Sequence, residues 1–297
     1  MVLPPAWESV WICNLENGHL QATGIDKKGR KQYRYHSLWN SIRNQSKYYR
    51  LFRFAESLPL INKRVEHDIK QSGFTYNKIL ALAVSIMKET NIRIGNETYK
   101  KLYGSFGLTT LENKHVKING TQINFKFKGK KGIYHDIELR SRRLSRMIQL
   151  CKELPGKELF QYVDSAGVIH SIDSGNVNSY LKEITGTDFT AKDFRTWAGT
   201  ISAFKFFREI GIPQNVSEAK KNVIKAIDLL AVQLGNTRTV CKKYYIHPAI
   251  VVSYENGELR KYFDLPTTNL GEFNLSDDEE RVKKILEEIS ILELNKN

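Results

Sequence analysis

Cysteine is scarce in this chain of 297 residues: Cys13, Cys151 and Cys241 are the only three, with no CxxC spacing among them. The seven histidines include no pair four residues apart. Neither a disulfide framework nor a zinc site is indicated. Chemistry run without a protein-held metal or other cofactor is expected, unless carboxylates that sequence alone does not pair supply a cation site. The glycine-rich loop that cradles nucleotide phosphates is missing as well. No apolar run approaches the roughly 20 residues that a membrane span needs. The opening Met1-Val2-Leu3-Pro4-Pro5-Ala6-Trp7 lacks the basic and then apolar regions of a secretory signal, so a cytoplasmic protein without a membrane partner is expected. Internal repeats and low-complexity stretches are also absent.

What the chain has in surplus is positive charge. Its formal net charge is +14, and residues 264–297 hold nine acidic and four basic side chains, a local balance of −5 that leaves +19 on residues 1–263. A surplus of that size favours a polyanionic partner, because each Lys or Arg placed on a phosphate releases condensed counterions. Charge by itself does not separate nucleic acid from an anionic membrane surface.

Periodicity divides the chain into two modules. Residues 1–58 read as β-rich, with Val10-Trp11-Ile12-Cys13, His19–Thr23 and Lys31–Tyr35 as strands, and with Asn17-Gly18 and Asp26-Lys27-Lys28-Gly29-Arg30 as turns. The last strand is expected to carry two aromatics on one face and cations on the other. From Ser37 to Ser57 the apolar spacing turns helical, and Pro59 is expected to end that helix. Residues 59–297 read as mostly helical, with helices over 76–90, 140–153, 174–185, 190–210 and 217–234. Thr190 with Asp193, and Ser217, are the expected caps, Asn91 closes the first of these helices and Gly235 the last. The hairpin signals Asn119-Gly120, suited to a type I′ turn, and Gly129-Lys130-Lys131-Gly132 interrupt them, which predicts a three-stranded antiparallel sheet with Lys130 in its second turn. A capping box at Ser276 and Glu279 opens a C-terminal helix with the stripe Val282, Ile285, Ile289 and Leu292, expected to dock on the second module. The fold class is thus α+β.

Near the end of the basic region, Leu234-Gly235-Asn236-Thr237 leads through Lys242 and Lys243 to Tyr244 and Tyr245. A phenol in basic surroundings can attack phosphorus if cations gather around the same phosphate. Arg93 after the first core helix, Lys130 at the hairpin tip and Arg195 inside Lys192-Asp193-Phe194-Arg195-Thr196 are candidates to supply them.

These residues resemble, in order, the type IB DNA topoisomerases of the small poxviral and bacterial kind. The matching stretches are Gly29–Tyr35, Ile92-Arg93-Ile94-Gly95, Gly107-Leu108-Thr109-Thr110-Leu111 through Lys114-His115, Phe127-Lys128-Gly129-Lys130, Lys192–Thr196, and Gly235-Asn236 to Tyr245. The resemblance implies a fold of the tyrosine recombinase and topoisomerase IB type. In it residues 59–297 form the catalytic domain, and residues 1–58 clamp the other side of double-stranded DNA. Family members usually begin some tens of residues earlier, so that first module is expected to be trimmed or abbreviated.

The resemblance further implies that Tyr245, not Tyr244, attacks one strand to give a 3′-phosphotyrosine link, without ATP or metal. Arg93 and Arg195 would grip the non-bridging oxygens, where forked guanidinium donors fit. Lys130 would protonate the leaving 5′ oxygen, a role that asks neighbouring cations to make its ammonium a better acid. Asn236 stands where poxviral relatives usually have histidine; its amide can donate to a phosphate oxygen but does not titrate. Gln32, Tyr33 and Tyr35, together with Lys192, are the expected DNA-contacting residues, and a monomer that relaxes supercoils, at the nucleoid if the source is bacterial, is the default. Two alternatives remain at this level: a tyrosine recombinase, against which Lys192 stands where a histidine is usual, and a DNA-binding protein that keeps the fold without the chemistry.

Overall fold

The computed structural model describes residues 2–27, 29–266, 271 and 273–294, apart from the side chains of residues 40–48 and 290–294. Lys28 and the side chain of Leu292, both named above, lie outside the described residues. The chain divides into two compact units, Met1–Leu51 and Phe52–Asn297, with the division inside one helix. The order of elements is β1 (Glu8–Ile12), β2 (Leu20–Ile25), β3 (Lys31–Tyr35), α1 (Ser37–Ile69), α2 (Tyr76–Thr90), α3 (Glu97–Tyr103), β4 (Val116–Asn119), β5 (Gln122–Lys128), β6 (Tyr134–Arg140) and α4 (Arg142–Glu153). Then follow β7 (Gln161–Val163), β8 (Ile169–Ser171), α5 (Ser174–Thr185), α6 (Ala191–Ile210), α7 (Val216–Leu234), α8 (Arg238–Tyr244), α9 (Pro248–Glu255) and α10 (Asp277–Leu294). The protein is α+β, as the periodicity predicts.

In the first unit β1, β2 and β3 form an antiparallel sheet in sequence order. Gly24 lies against Trp7, where a Cβ would stand 2.7 Å from the indole, so the absence of a side chain there lets the ring cover the sheet. On β3 the rings of Tyr33 and Tyr35 stack at 6.2 Å, with 16° between their planes. The expected segregation of cations to the opposite face holds only for Arg34. Lys31 shares the parity of the two tyrosines and sets its ammonium 5.8 Å from the Tyr33 ring centroid.

The second unit is built around α2, whose Ile79 through Val84, Ile86 and Met87 are all buried. A helix buried on nearly every side suits a central position, and α4, α5, α6 and β6 pack around it. Thr75 caps its start, accepting from the Lys78 N–H, and Asn91 ends it in the left-handed region at φ 55°. Beside it, Phe54 of α1 packs edge-on against Phe189 and Phe194 at 5.3 and 4.9 Å.

Pro59 does not end α1, which continues to Ile69. Losing one backbone hydrogen bond at an internal proline costs about 3 kcal/mol. The ten residues that follow bury Ile61, Val65 and Ile69, each worth about 1.5–3 kcal/mol. They also seat Asp68, 1 % exposed, against the Tyr180 hydroxyl (2.9 Å), Arg64 Nε (2.7 Å), Gln71 Nε2 (3.0 Å) and His67 Nδ1 (2.8 Å). Burial outweighs the break.

The three-stranded antiparallel sheet β4-β5-β6 forms as expected, with Phe125 opposite Ile137 and Phe127 opposite His135. In its first turn only Gly120 has positive φ (59°) and Thr121 does not, the signature of a type II′ rather than a type I′ turn: glycine sits at the first central position, and threonine resists the left-handed region. Helix α7 is capped by Asn215, whose side chain accepts from the Glu218 N–H, and not by Ser217, because the helix begins earlier at Val216. The backbone N–H and hydroxyl of Thr190 both donate to the Asp193 carboxylate, at 2.8 and 3.0 Å. The acidic C-terminal segment folds as α10 and docks on α6. Ser276 and Glu279 form the expected box, Trp197 Nε1 donates to Glu279 at 2.9 Å, Arg208 pairs with Asp278, and Val282, Ile285 and Leu286 are buried. Among the described residues no helix is long and apolar enough to cross a membrane.

Candidate active site

Arg93 leaves the end of α2 on a loop that is strapped in place. Its carbonyl accepts from the Leu108 N–H (2.8 Å), and the Ile94 carbonyl accepts from the Thr109 N–H (2.8 Å) and hydroxyl (2.9 Å). Gly107 permits this approach: a Cβ there would stand 2.6 Å from the Arg93 carbonyl oxygen and from the backbone of Gly95. The motif around Gly107 is therefore the brace that fixes the arginine loop.

Two helix ends then hold two guanidinium groups. Gly235, at φ 57°, closes α7 and frees its last carbonyls. Arg195 donates to the carbonyls of Asn91, at the end of α2, and of Leu234 (3.0 Å). Arg93 donates to the Gly235 carbonyl (3.1 Å) and to Asn236 Oδ1 (2.6 Å). Cations are favoured at these C-terminal ends, where unsatisfied carbonyls carry the negative end of the helix dipole. Arg195 is 5 % exposed and its Nε is buried without a hydrogen-bond partner. Its charge is costly there, and burial, with the neighbouring Arg93, pushes its pKa down. The acceptance by Asn236 Oδ1 turns the amide nitrogen away from Arg93, where it meets the Leu234 carbonyl at 3.3 Å.

Tyr245 follows α8. The Arg195 guanidinium carbon lies 5.1 Å from the centroid of its ring, whereas Tyr244 has Lys243 over its ring at 5.5 Å. Burial raises the pKa of the Tyr245 phenol, but Arg195, Arg93 and Lys130 together outweigh it and bring the phenol below its ordinary value. Lys130 is exposed on the second turn of the sheet, between the extended Gly129 and Lys131 at φ 63°. It lines the same small cavity as Arg93, Arg195 and His135. Among the described residues it has no ion-pair or hydrogen-bond partner.

Five predicted residues, Arg93, Lys130, Arg195, Asn236 and Tyr245, thus meet in the second unit. Lys192 sits exposed in the first turn of α6, one turn before Arg195. Gln32, Tyr33 and Tyr35 are on β3 of the first unit, where the Gln32 amide donates to Asp26 Oδ2 at 2.8 Å. Sequence reasoning missed two supports. Thr200, fully buried one turn and a half after Arg195 on α6, donates to the Thr196 carbonyl (2.9 Å), with the Tyr245 carbonyl at 3.4 Å, and accepts from the His247 N–H (3.1 Å). His135, half-buried, is the second residue of β6 and shares the inner face of that strand with Ile137 and Leu139. The alternation of that strand carried the signal, since residue 135 shares the parity of the apolar face.

Two clamped arginines, a turn-borne lysine and a phenol are a set that can neutralise and attack a phosphodiester. Residues 36–262 match the family model for the eukaryotic DNA topoisomerase I catalytic core, and residues 1–26 match that for the bacterial DNA topoisomerase IB N-terminal domain. The chain is 33 % identical over 261 residues to the DNA topoisomerase 1B of Acanthamoeba polyphaga mimivirus, covering 86 % of this chain and 78 % of the relative. It is 27 % identical over 232 residues to the DNA topoisomerase I of monkeypox virus and to the DNA topoisomerase 1B of vaccinia virus (strain Copenhagen), covering 77 % of this chain and 70 % of each. The chain belongs to the type IB DNA topoisomerases. It is accordingly a DNA-binding isomerase that changes DNA topology.

Proposed function

We propose that the protein, acting as a monomer in the cytoplasm, relaxes supercoiled duplex DNA by transient cleavage of one strand, with Tyr245 as the nucleophile. The Tyr245 hydroxyl gives its proton to solvent and its oxygen forms a bond to phosphorus, the bond from phosphorus to the 5′ oxygen breaks, and that oxygen takes a proton from the Lys130 ammonium, which solvent restores. Phosphorus remains esterified throughout, so the bond energy is kept in the 3′-phosphotyrosine link, and the freed 5′-hydroxyl reseals the strand by the reverse step. Neither ATP nor a metal ion enters that balance. Arg93 and Arg195 neutralise the charge that builds on the non-bridging oxygens, each worth about 100- to 1,000-fold in rate by analogy with oxyanion donors. Asn236 positions Arg93 and keeps one amide N–H for a phosphate oxygen. Lys192 and the β3 residues Gln32, Tyr33 and Tyr35 contact the duplex, residues 1–58 serving as the clamp and 59–297 as the catalytic domain.

The observation that carries this reading is the Arg195 guanidinium over the Tyr245 ring, with Arg93 and Lys130 adding to the field that lowers the phenol's pKa. A nucleophile with an ordinary pKa near 10 needs such stabilisation at neutral pH. The test is relaxation of negatively and positively supercoiled plasmid in EDTA without ATP, beside Tyr245→Phe. The wild type should relax both, and the variant should bind DNA about as well yet yield no denaturation-resistant complex. A covalent adduct from Tyr245→Phe would remove Tyr245 from the role, and strand exchange dependent on paired sites would make the protein a recombinase.

A further inference from the structure

His135 is a polar residue in the wall of the active-site cavity that the chemistry above leaves without a task. Its ring stacks on Phe127, with centroids 5.0 Å apart and 22° between planes. The edge of the ring then fills the space between two glycines that flank catalytic side chains. A Cβ on Gly129, the residue before Lys130, would stand 2.6 Å from Cδ2 and Nε2 of His135. A Cβ on Gly235, the residue before Asn236, would stand 2.6 Å from its Cε1. Gly235 is also required by its left-handed backbone, but Gly129 is not: its φ of −96° and ψ of −164° suit any residue. Only the imidazole ring makes glycine necessary at 129. Neither ring nitrogen has a hydrogen-bond partner among the described residues, so the contact is one of shape. Burial lowers the pKa of His135, and Arg93 and Arg195 lower it further, which keeps the wedge uncharged beside two guanidinium groups.

We propose that His135 is a positioning residue for the leaving-group step: its ring, backed by Phe127, wedges between the Lys130 turn and the Gly235–Asn236 turn and fixes how far the lysine stands from the phosphate held by the arginines. The inference rests on the reading of Lys130 as the general acid. Lys130 rides on an exposed turn of five residues with no side-chain tether of its own, and the ring against Gly129 is the contact that sets the turn's depth. Without it the ammonium is carried by a looser turn, while the clamp made by Arg93 and Arg195 keeps its carbonyl anchors.

The discriminating experiment is single-turnover cleavage of a duplex whose 5′ leaving atom is either oxygen or sulfur, since a thiolate leaves without a proton. His135→Ala is expected to slow the oxygen substrate by about 10- to 100-fold, the range for a catalytic group misplaced by an ångström, and to leave the sulfur substrate near the wild-type rate. The double variant His135→Ala/Lys130→Ala should be no slower on oxygen than Lys130→Ala. Gly129→Ala, which displaces the ring while keeping it, should reproduce the oxygen-specific defect and serves if His135→Ala does not fold. Equal slowing on both leaving groups, an unaltered oxygen rate, or additive losses in the double variant would overturn the proposal. If Lys130→Ala itself is slowed equally on both substrates, the general-acid reading fails instead, and additivity alone then decides whether His135 acts through Lys130. A wild type that forms no covalent adduct would sink both.

Discussion

Gly199 of α6 and Tyr245 touch backbone to backbone: a Cβ on residue 199 would stand 2.4 Å from the Tyr245 carbonyl oxygen and 3.0 Å from its Cβ. The helix that carries Arg195 is thereby pressed directly against the residue whose ring lies under that arginine. Gly199→Ala removes a poor helix former, a gain of about 1 kcal/mol in an exposed helix, but here the added methyl meets main chain and something must move. The expected outcome is a loss of cleavage of about 10- to 100-fold with DNA binding close to wild type, read from single-turnover cleavage and filter binding.

Arg195→Gln tests the field around the phenol. With the guanidinium gone, the burial that raises the Tyr245 pKa is less opposed, so the alkaline rise of the cleavage rate should move to higher pH as the rate itself falls by about 100- to 1,000-fold. Arg195→Lys should recover little, because one ammonium does not span the Asn91 and Leu234 carbonyls as the fork does. An unshifted pH profile in Arg195→Gln would mean that other charges set the phenol.

Acid should weaken the fold over two pH ranges. His135 has a folded pKa below its ordinary 6.5, so folding favours its neutral form, and the stability this contributes is lost as pH falls from 6.5 toward the lowered value. Asp68 has a folded pKa below 3.8: burial alone would raise it, but hydrogen bonds from His67, Arg64 and Tyr180 hold it down. Its contribution is complete above 3.8 and disappears as pH falls through that lower folded value. Asp68→Ala should cost about 2–4 kcal/mol at neutral pH, since it leaves the buried Tyr180 hydroxyl without its acceptor. Denaturant titrations at several pH values would show the more acid of the two losses shrink in that variant.

Trp197→Phe should loosen the C-terminal helix. It removes the 2.9 Å bond to Glu279 and leaves that carboxylate to its capping box alone, at a cost of about 1–3 kcal/mol for a charged acceptor. Faster amide exchange in α10 than in α2 would mark the loss as local.

Much of this was legible before the structure, for reasons that differ by element. The α2 stripe, the β4–β6 alternation and the Gly235 stop are local signals, and each element formed where its pattern lay. The continuation of α1 past Pro59 was not legible, because its compensation is the burial of Ile61, Val65 and Ile69 and the seating of Asp68 on Tyr180, 112 residues away. The cap of α7 moved two residues, from Ser217 to Asn215, a shift that two capping-type residues on either side of Val216 do not resolve in sequence. At the site, the ordered motifs named the five side chains. Their scaffolding, Thr200 and His135, lay unread in the same stretches: neither residue type announces that its worth is the space it fills or the carbonyl it holds.

The final turn of α7 serves two masters, since consecutive carbonyls at 234 and 235 anchor different arginines. Fraying of that single turn would remove an anchor from each arginine in one motion, leaving Arg195 on the Asn91 carbonyl alone. Damage there should therefore loosen the two guanidinium groups together, and not one at a time.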